Sequence, residues 1–287
     1  MPEIIERYLD EANVDRLARD FKFLLKAVAD SYGELEPAFR EGRVSVYYRG
    51  NSLAVIVFRP AGKYRIDIHE RFLDGLDAET RAEFTLTGSY DHVTVDARGA
   101  HRILQRRNVG RLMNAIRDVN HSEELPFEQI LIADNPLSRE FLLIDRQVTD
   151  HHMRRRLDLL GSRRLEGGRY GFVVIGVKLG KNGELSEAVA EQIEHYVRRI
   201  RDEAPDAYPR CCGKTYAQKR RLGLIAGDVM PNEIEIDGRE VEGLVVVGGY
   251  WQQAEAQKEL LLKNHPSLQV LIFRNSLLGV NGKLVGA

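Results

Sequence analysis

The residues best suited to chemistry are a carboxylate and an ammonium on two segments that read as neighbouring strands. Asp158 is the single acid within RRLDLL (155–160), and Lys178 closes the apolar run FVVIGVK (172–178). Side chains alternate along a strand, so Val173, Ile175, Val177 and Leu179 share one face while Phe172, Val174, Gly176 and Lys178 share the other. The first face is core. The second starts apolar and ends in an amine that a core does not accept unpaired. A partly buried carboxylate and a lysine at the ends of adjacent strands suit divalent-metal phosphodiester hydrolysis: the carboxylate holds a hard cation, and the ammonium orients or deprotonates the attacking water and offsets charge on the phosphorus centre. A structural Asp158–Lys178 ion pair is the competing reading.

Other chemistries fail on spacing. A P-loop at Gly180-Lys181 would need a glycine where Ile175 stands, and one at Gly213-Lys214-Thr215 would need a glycine in place of Tyr208. The serine-hydrolase elbow, the H-E-x-x-H zinc motif and a dinucleotide glycine fingerprint are absent from the sequence. Cys211 and Cys212 are adjacent, which disfavours a mutual disulfide and gives no zinc spacing, so a reducing compartment fits. His151 and His152 point apart if extended and are expected at the surface or facing nucleic acid. No apolar run approaches the roughly 18–20 residues of a membrane span, and the charged start MPEIIERYLDEA is no secretory segment. No membrane association and a cytoplasmic location are therefore expected. With a net charge of −1, affinity for nucleic acid must come from local patches. HRILQRRNVGR offers Arg102, Arg106, Arg107 and Arg111; HHMRRRLDLLGSRR offers Arg154, Arg155 and Arg156; CCGKTYAQKRR offers Lys214, Lys219, Arg220 and Arg221. Ordinary solvated faces are the plainer reading of each run.

The elements that must position these groups follow from periodicity. Residues 3–30 carry Leu9, Leu17, Phe21, Leu24, Leu25 and Val28 at helical spacing. The segment from Arg43 to Phe72 alternates with a period near two, broken at Arg49-Gly50-Asn51-Ser52 and Pro60-Ala61-Gly62, which predicts an antiparallel meander of three strands. YDHVTVDA (90–97) is a candidate fourth strand, and residues 100–120 read as a helix. The charged HSEEL marks a boundary, giving an N-terminal α+β domain over 1–120 and a second domain over 121–287. The second domain reads as a helix at 127–136, strands at 141–148, 155–164 and 169–180, a helix at 184–204, a strand at 242–251, a helix from Ala254 and a last strand from Leu268. This is an α/β order with a mixed sheet. Lys214 to Arg221 fall in the long connection after the 184–204 helix, where a substrate-gripping loop could lie.

On RRLDLL, VIGVKLGKN and AEQIEHY, together with FEQILIADNP and FLLIDRQV before them, residues 124–250 resemble the PD-(D/E)XK, or restriction-endonuclease-like, nuclease superfamily. That stretch is a little under half of the chain. The resemblance implies a mixed core sheet flanked by helices, Mg²⁺ or Mn²⁺ as cofactor, and hydrolysis of a DNA backbone, with RNA not excluded. It makes Asp158 the metal ligand and Lys178 the water-orienting residue. Gln192 and Tyr196 become positioning residues of a Q-x-x-x-Y helix, as in the RecB-like branch. Glu128, with Glu124 second, is the assisting acid and second metal ligand. The chain departs from the pattern at Gly176, where the superfamily carries Asp or Glu. Either the site is inactivated, or the chain now only binds, or another carboxylate such as Glu191 has taken over. A restriction or phage-defence role, a homodimer and protein partners in a defence complex follow as expectations of the same resemblance. A catalytically inactive nucleic-acid-binding or scaffold subunit is the alternative, and a small-molecule sensor a third. The N-terminal domain offers no catalytic set and reads as a recognition or dimerisation module or, equally, as a structural domain packed on the nuclease core.

Overall fold

The structure, a computed structural model, describes residues 7–119, 124–135, 140–153, 155–181, 185, 187–225 and 231–273. It is a mixed α/β protein with two five-stranded sheets flanked by helices.

The first sheet is antiparallel, in the order β1 (Leu35–Arg40), β2 (Arg43–Tyr48), β3 (Asn51–Phe58), β4 (Tyr64–His69) and β5 (Tyr90–Val95). The meander is longer than the periodicity predicts, because LEPAFR adds β1. Pro37 argues against a central strand but is tolerated at the sheet edge, where β1 lies. The helix expected over 3–30 is two, α1 (Glu11–Asp20) and α2 (Lys22–Ala29), which meet at Phe21; residues 3–6 lie outside the described residues. Asp10 starts α1 by accepting the Asn13 N–H, an N-cap bond of the usual kind. Two short helices, α3 (Glu70–Leu73) and α4 (Ala78–Ala82), lead to β5. The helix expected over 100–120 is likewise two, α5 (Ala97–Ile103) and α6 (Arg106–Val119). Phe21, Ile56, Tyr64, Ile66, Leu112 and Ile116 form the core between this sheet and its helices.

The second sheet has the order β10-β9-β8-β7-β6, with β6 (Phe141–Val148), β7 (Leu157–Arg164) and β8 (Tyr170–Leu179) antiparallel. β9 (Ile236–Gly248) and β10 (Leu268–Phe273) run parallel to β8. α7 (Glu124–Asp134) covers one face through Leu131 against Val173, Ile175 and Val177. Its Pro126 falls in the first turn, where a missing N–H costs nothing. α8 (Ala188–Arg198) covers the other face, packing Val189, Ile193 and Tyr196 beside Phe172 and Val174, and runs into a π-helical turn at Arg199–Glu203. α9 (Ala207–Arg221) and α10 (Trp251–Asn264) complete the layers. α9 corrects the expected connection. Tyr208, Cys211, Cys212, Thr215 and Tyr216 are buried at helical spacing, so the segment is a core helix and not a gripping loop. No helix of the described residues is long and apolar enough to cross a membrane.

The halves meet at a buried ionic seam. Arg7 and Arg40 both pair with Asp145 on β6, while Arg146 reaches Glu36 on β1 at 3.1 Å. The segment Arg7–Leu9 docks on α9, where the Gln218 amide exchanges two hydrogen bonds with the Leu9 backbone, at 2.9 and 2.6 Å.

Candidate active site

The ladder between β7 and β8 ends at Leu159 and Ile175, while β8 runs on to Leu179. Past that point a backbone N–H of β8 needs another acceptor. Asp158 supplies it: its Oδ2 accepts the Val177 N–H at 2.8 Å. Lys178, with 12 % of its side chain exposed, lies at the same end of β8 and donates to Glu124 Oε1 at 2.9 Å. The start of α7 and the ends of β7 and β8 thus bring Glu124, Asp158 and Lys178 into one electrostatic cluster. Burial pushes the Asp158 carboxyl above its ordinary pKa, with Glu124 adding to the effect, against the opposing pull of Lys178, the Val177 N–H and Arg156. A partly buried acid with a raised pKa beside a lysine is the kind of group that catalytic sites collect, as well as structural ion-pair networks.

Glu128, Gly176 and Glu191, the other positions that the resemblance singles out, stand in different surroundings. Glu128, the expected assisting acid, is buried and accepts from Arg146 Nη2 at 2.7 Å and Gln147 Nε2 at 3.0 Å, so its oxygens serve an internal ion pair. Burial raises its pKa first of all, with Asp158 adding to the rise, and Arg146 and Gln147 oppose it. Glu124, one helical turn earlier, takes the place beside Lys178. At Gly176 the space beside the backbone is taken up by α8. A Cβ built there would meet Val189 Cγ2 at 2.8 Å and Ile193 Cδ1 at 2.9 Å, so the glycine lets α8 approach the sheet closely. Glu191, the expected substitute, is exposed on α8.

Gln192 and Tyr196 act on the chain that leads into Asp158. Gln192 Nε2 donates to the Arg156 carbonyl at 2.6 Å, and the Tyr196 hydroxyl lies 3.0 and 2.9 Å from the Val148 and Arg155 carbonyls. Asp150 ties the same connection to Arg199 at 2.9 Å and to the Tyr208 hydroxyl at 3.0 Å. Both ends of the β6–β7 connection are therefore fixed to the layer behind the sheet. Arg155 and Arg156 are exposed on that connection, and Arg154 lies outside the described residues.

The remaining basic residues are scattered. Arg106 and Arg107 are exposed at the start of α6, whereas Arg102 and Arg111 pair with Glu83 and Asp77. Lys214 stacks over Tyr8 at 4.2 Å, and Lys219 donates to the Ile144 carbonyl at 2.9 Å. Arg220 donates to Asn232, beyond the end of α9, at 2.6 Å, and Arg221 pairs with Glu11 and Asp15. The patch on α9 therefore belongs largely to contacts within the molecule.

Sequence reasoning misses Arg146. It is fully buried, bonds Glu128, Gln129 and Glu36, and stacks over Tyr47 at 4.8 Å. The available signal is Asp145-Arg146-Gln147, three consecutive polar residues inside an otherwise apolar strand.

Among the described residues no group of three or more His, Cys, Asp or Glu is arranged to hold a metal ion. The cluster offers two carboxylates, Asp158 and Glu124, and one or two carboxylates completed by water and substrate oxygens are what a Mg²⁺ ion commonly takes. The chain matches no family model, no curated protein and no solved structure.

Proposed function

We propose that this protein is a metal-dependent phosphodiesterase of the restriction-endonuclease-like fold, acting on a nucleic-acid backbone at the Glu124–Asp158–Lys178 cluster. The observation that carries the reading is the convergence of these three groups at one end of β7 and β8, with Lys178 2.9 Å from Glu124 and Asp158 turned onto Val177. The succession of α7, three antiparallel strands, α8 and the parallel β9 supports the fold assignment.

Mg²⁺ or Mn²⁺, when bound, supplies an activated water and neutralises charge on the phosphate. Asp158 and Glu124 would hold it. With Glu124 among the groups that would hold the cation, the Lys178 ammonium would orient the attacking water and offset charge on the phosphate oxygens. Arg156, which already acts on Asp158, meets the neighbouring phosphate. Gln192 and Tyr196 keep the connection carrying Arg156 in place. A second reading, a silent nucleic-acid-binding or scaffold subunit, is favoured by Gly176, where no carboxylate stands and α8 fills the space. Restriction or phage defence, with a homodimer or partner proteins, rests on analogy of fold.

The test is cleavage of plasmid and circular single-stranded DNA with Mg²⁺ or Mn²⁺. Asp158→Asn and Lys178→Ala should each lower the rate by at least about a hundredfold, and Glu124→Gln by a smaller factor. Absence of cleavage by the unaltered chain, with nucleic acid still bound, would put the silent subunit ahead.

A further inference from the structure

The parallel strands β8 and β9 end together beside the candidate site. Leu179 stands opposite Gly248 in the register, and the Gly180 N–H donates to the Gly248 carbonyl at 3.3 Å. Beyond that point the two chains stay in contact. A Cβ on Gly180 would lie 2.6 Å from the Gly249 carbonyl oxygen and 2.7 Å from that of Tyr250, and one on Gly248 would lie 2.5 Å from the ring of Phe127, three residues after Glu124 on α7. Glycine at both positions lets the end of β8, the turn after β9 and the start of α7 close on one another. Lys181 then meets Tyr250, its Nζ 3.3 Å from the hydroxyl and 4.9 Å from the ring centre. Three residues of chain span at most about 10–11 Å, so Lys181 starts within that reach of Lys178, which pairs with Glu124 at 2.9 Å. The sheet order β9-β8-β7 sets Tyr250 on one flank of Lys178 and Arg156, just before β7, on the other.

Tyr250 is held there against its backbone preference. Its φ of 47° and ψ of 40° are left-handed, a conformation that glycine takes freely and a bulky residue rarely. Tyrosine nevertheless stands at 250, and it is 48 % exposed, so the core does not account for it. Strain of this kind gathers at functional sites. What the ring and hydroxyl do is fix the Lys181 ammonium, which has three donors and uses one of them on Tyr250.

We propose that Lys181 binds the substrate phosphate flanking the scissile one, on the side away from Arg156, and that Tyr250 is the positioning residue that presents its ammonium. The nucleic-acid strand crosses the ends of β7, β8 and β9. A lysine contact of this sort fixes register without reading sequence. The identity of the middle phosphate rests on the hydrolytic reading above; the contact at Lys181 does not.

Fluorescence anisotropy of labelled oligo(dT) over a series of salt concentrations, in EDTA so that no cleavage intervenes, tests it. Lys181→Ala should weaken binding severalfold and reduce the slope of log affinity against log salt by about 0.7, the loss of one phosphate contact to a single strand. Lys181→Arg keeps the charge and should keep the slope. Tyr250→Gly relieves the left-handed backbone, so it should melt no lower than the unaltered chain and still bind severalfold more weakly. Tyr250→Phe keeps the ring beside the ammonium and should fall between the two. An unchanged slope in Lys181→Ala, or no binding of the strand by the unaltered chain, overturns the proposal. Unchanged affinity or a lower melting temperature in Tyr250→Gly overturns the role of Tyr250. Cleavage of circular single-stranded DNA with Mn²⁺ on the same preparations separates this contact from the hydrolytic reading. Cleavage with a slope indifferent to Lys181 removes the contact and leaves the hydrolase; a Lys181-dependent slope without cleavage leaves the contact and removes the hydrolase.

Discussion

At the scale of single residues, Asp158 trades stability for its position. Its folded pKa lies above the unfolded value because burial disfavours the charge. For such an acid the penalty is absent below the unfolded pKa, grows as pH rises toward the folded pKa, and stays in full above it. Asp158→Asn carries no charge at any pH, so its melting temperature relative to the unaltered chain should be higher at about pH 7 than at about pH 3. A difference that is flat with pH, or of opposite slope, would refute the assignment. Asp158 and Lys178 are legible in the sequence because strand alternation isolates a polar group on an apolar run. The choice between Glu124 and Glu128 is not. They are four apart on α7 and share a face, and only the fold shows that Arg146 from β6 takes Glu128 while Lys178 takes Glu124. Gly176 misleads for a related reason: sequence reports a missing side chain, but only the packing of Val189 and Ile193 reports that the space is filled.

At the scale of elements, α8 works as a clamp on the β6–β7 connection. Tyr196→Phe removes the hydroxyl that serves the Val148 and Arg155 carbonyls and should cost about 1–3 kcal/mol. Hydrogen exchange should quicken in residues 149–153 and 155–157 while the centre of β8 stays protected. Equal acceleration throughout the second sheet would mean that Tyr196 supports the core and not the connection. Periodicity locates most of the strands and helices, since each buries one face. It fails for β1, where proline masks an edge strand, and for α9. There the stripe Tyr208, Cys211, Cys212, Thr215, Tyr216 is short of aliphatic residues, is interrupted by Gly213 and is hidden in a strongly basic segment.

At the scale of the whole molecule, the seam around Asp145 joins the halves. Burial alone would raise the Asp145 pKa, but Arg40 and Arg7 more than reverse this and hold it well below the usual carboxylate range. A depressed folded pKa gives stability that is present above the unfolded value and is lost as pH falls toward the folded one. Asp145→Asn should destabilise the protein by about 3–5 kcal/mol at neutral pH, because two buried guanidinium groups lose their counter-ion. Its denaturation midpoint should then fall less on acidification than that of the unaltered chain. A variant that melts at the same temperature, or follows the same pH curve, would show that the seam contributes nothing to stability. The seam is the least legible feature, since it pairs residues more than a hundred positions apart. The same separation sets an order of events during synthesis. Arg7 and Leu9 find their partners on α9 only after more than 200 further residues have been made, roughly 10–40 s at ordinary translation speeds. The first sheet can close on its own helices long before that. The segment Arg7–Leu9 is therefore among the last pieces to dock, and the ribosome must release α9 before the molecule can lock.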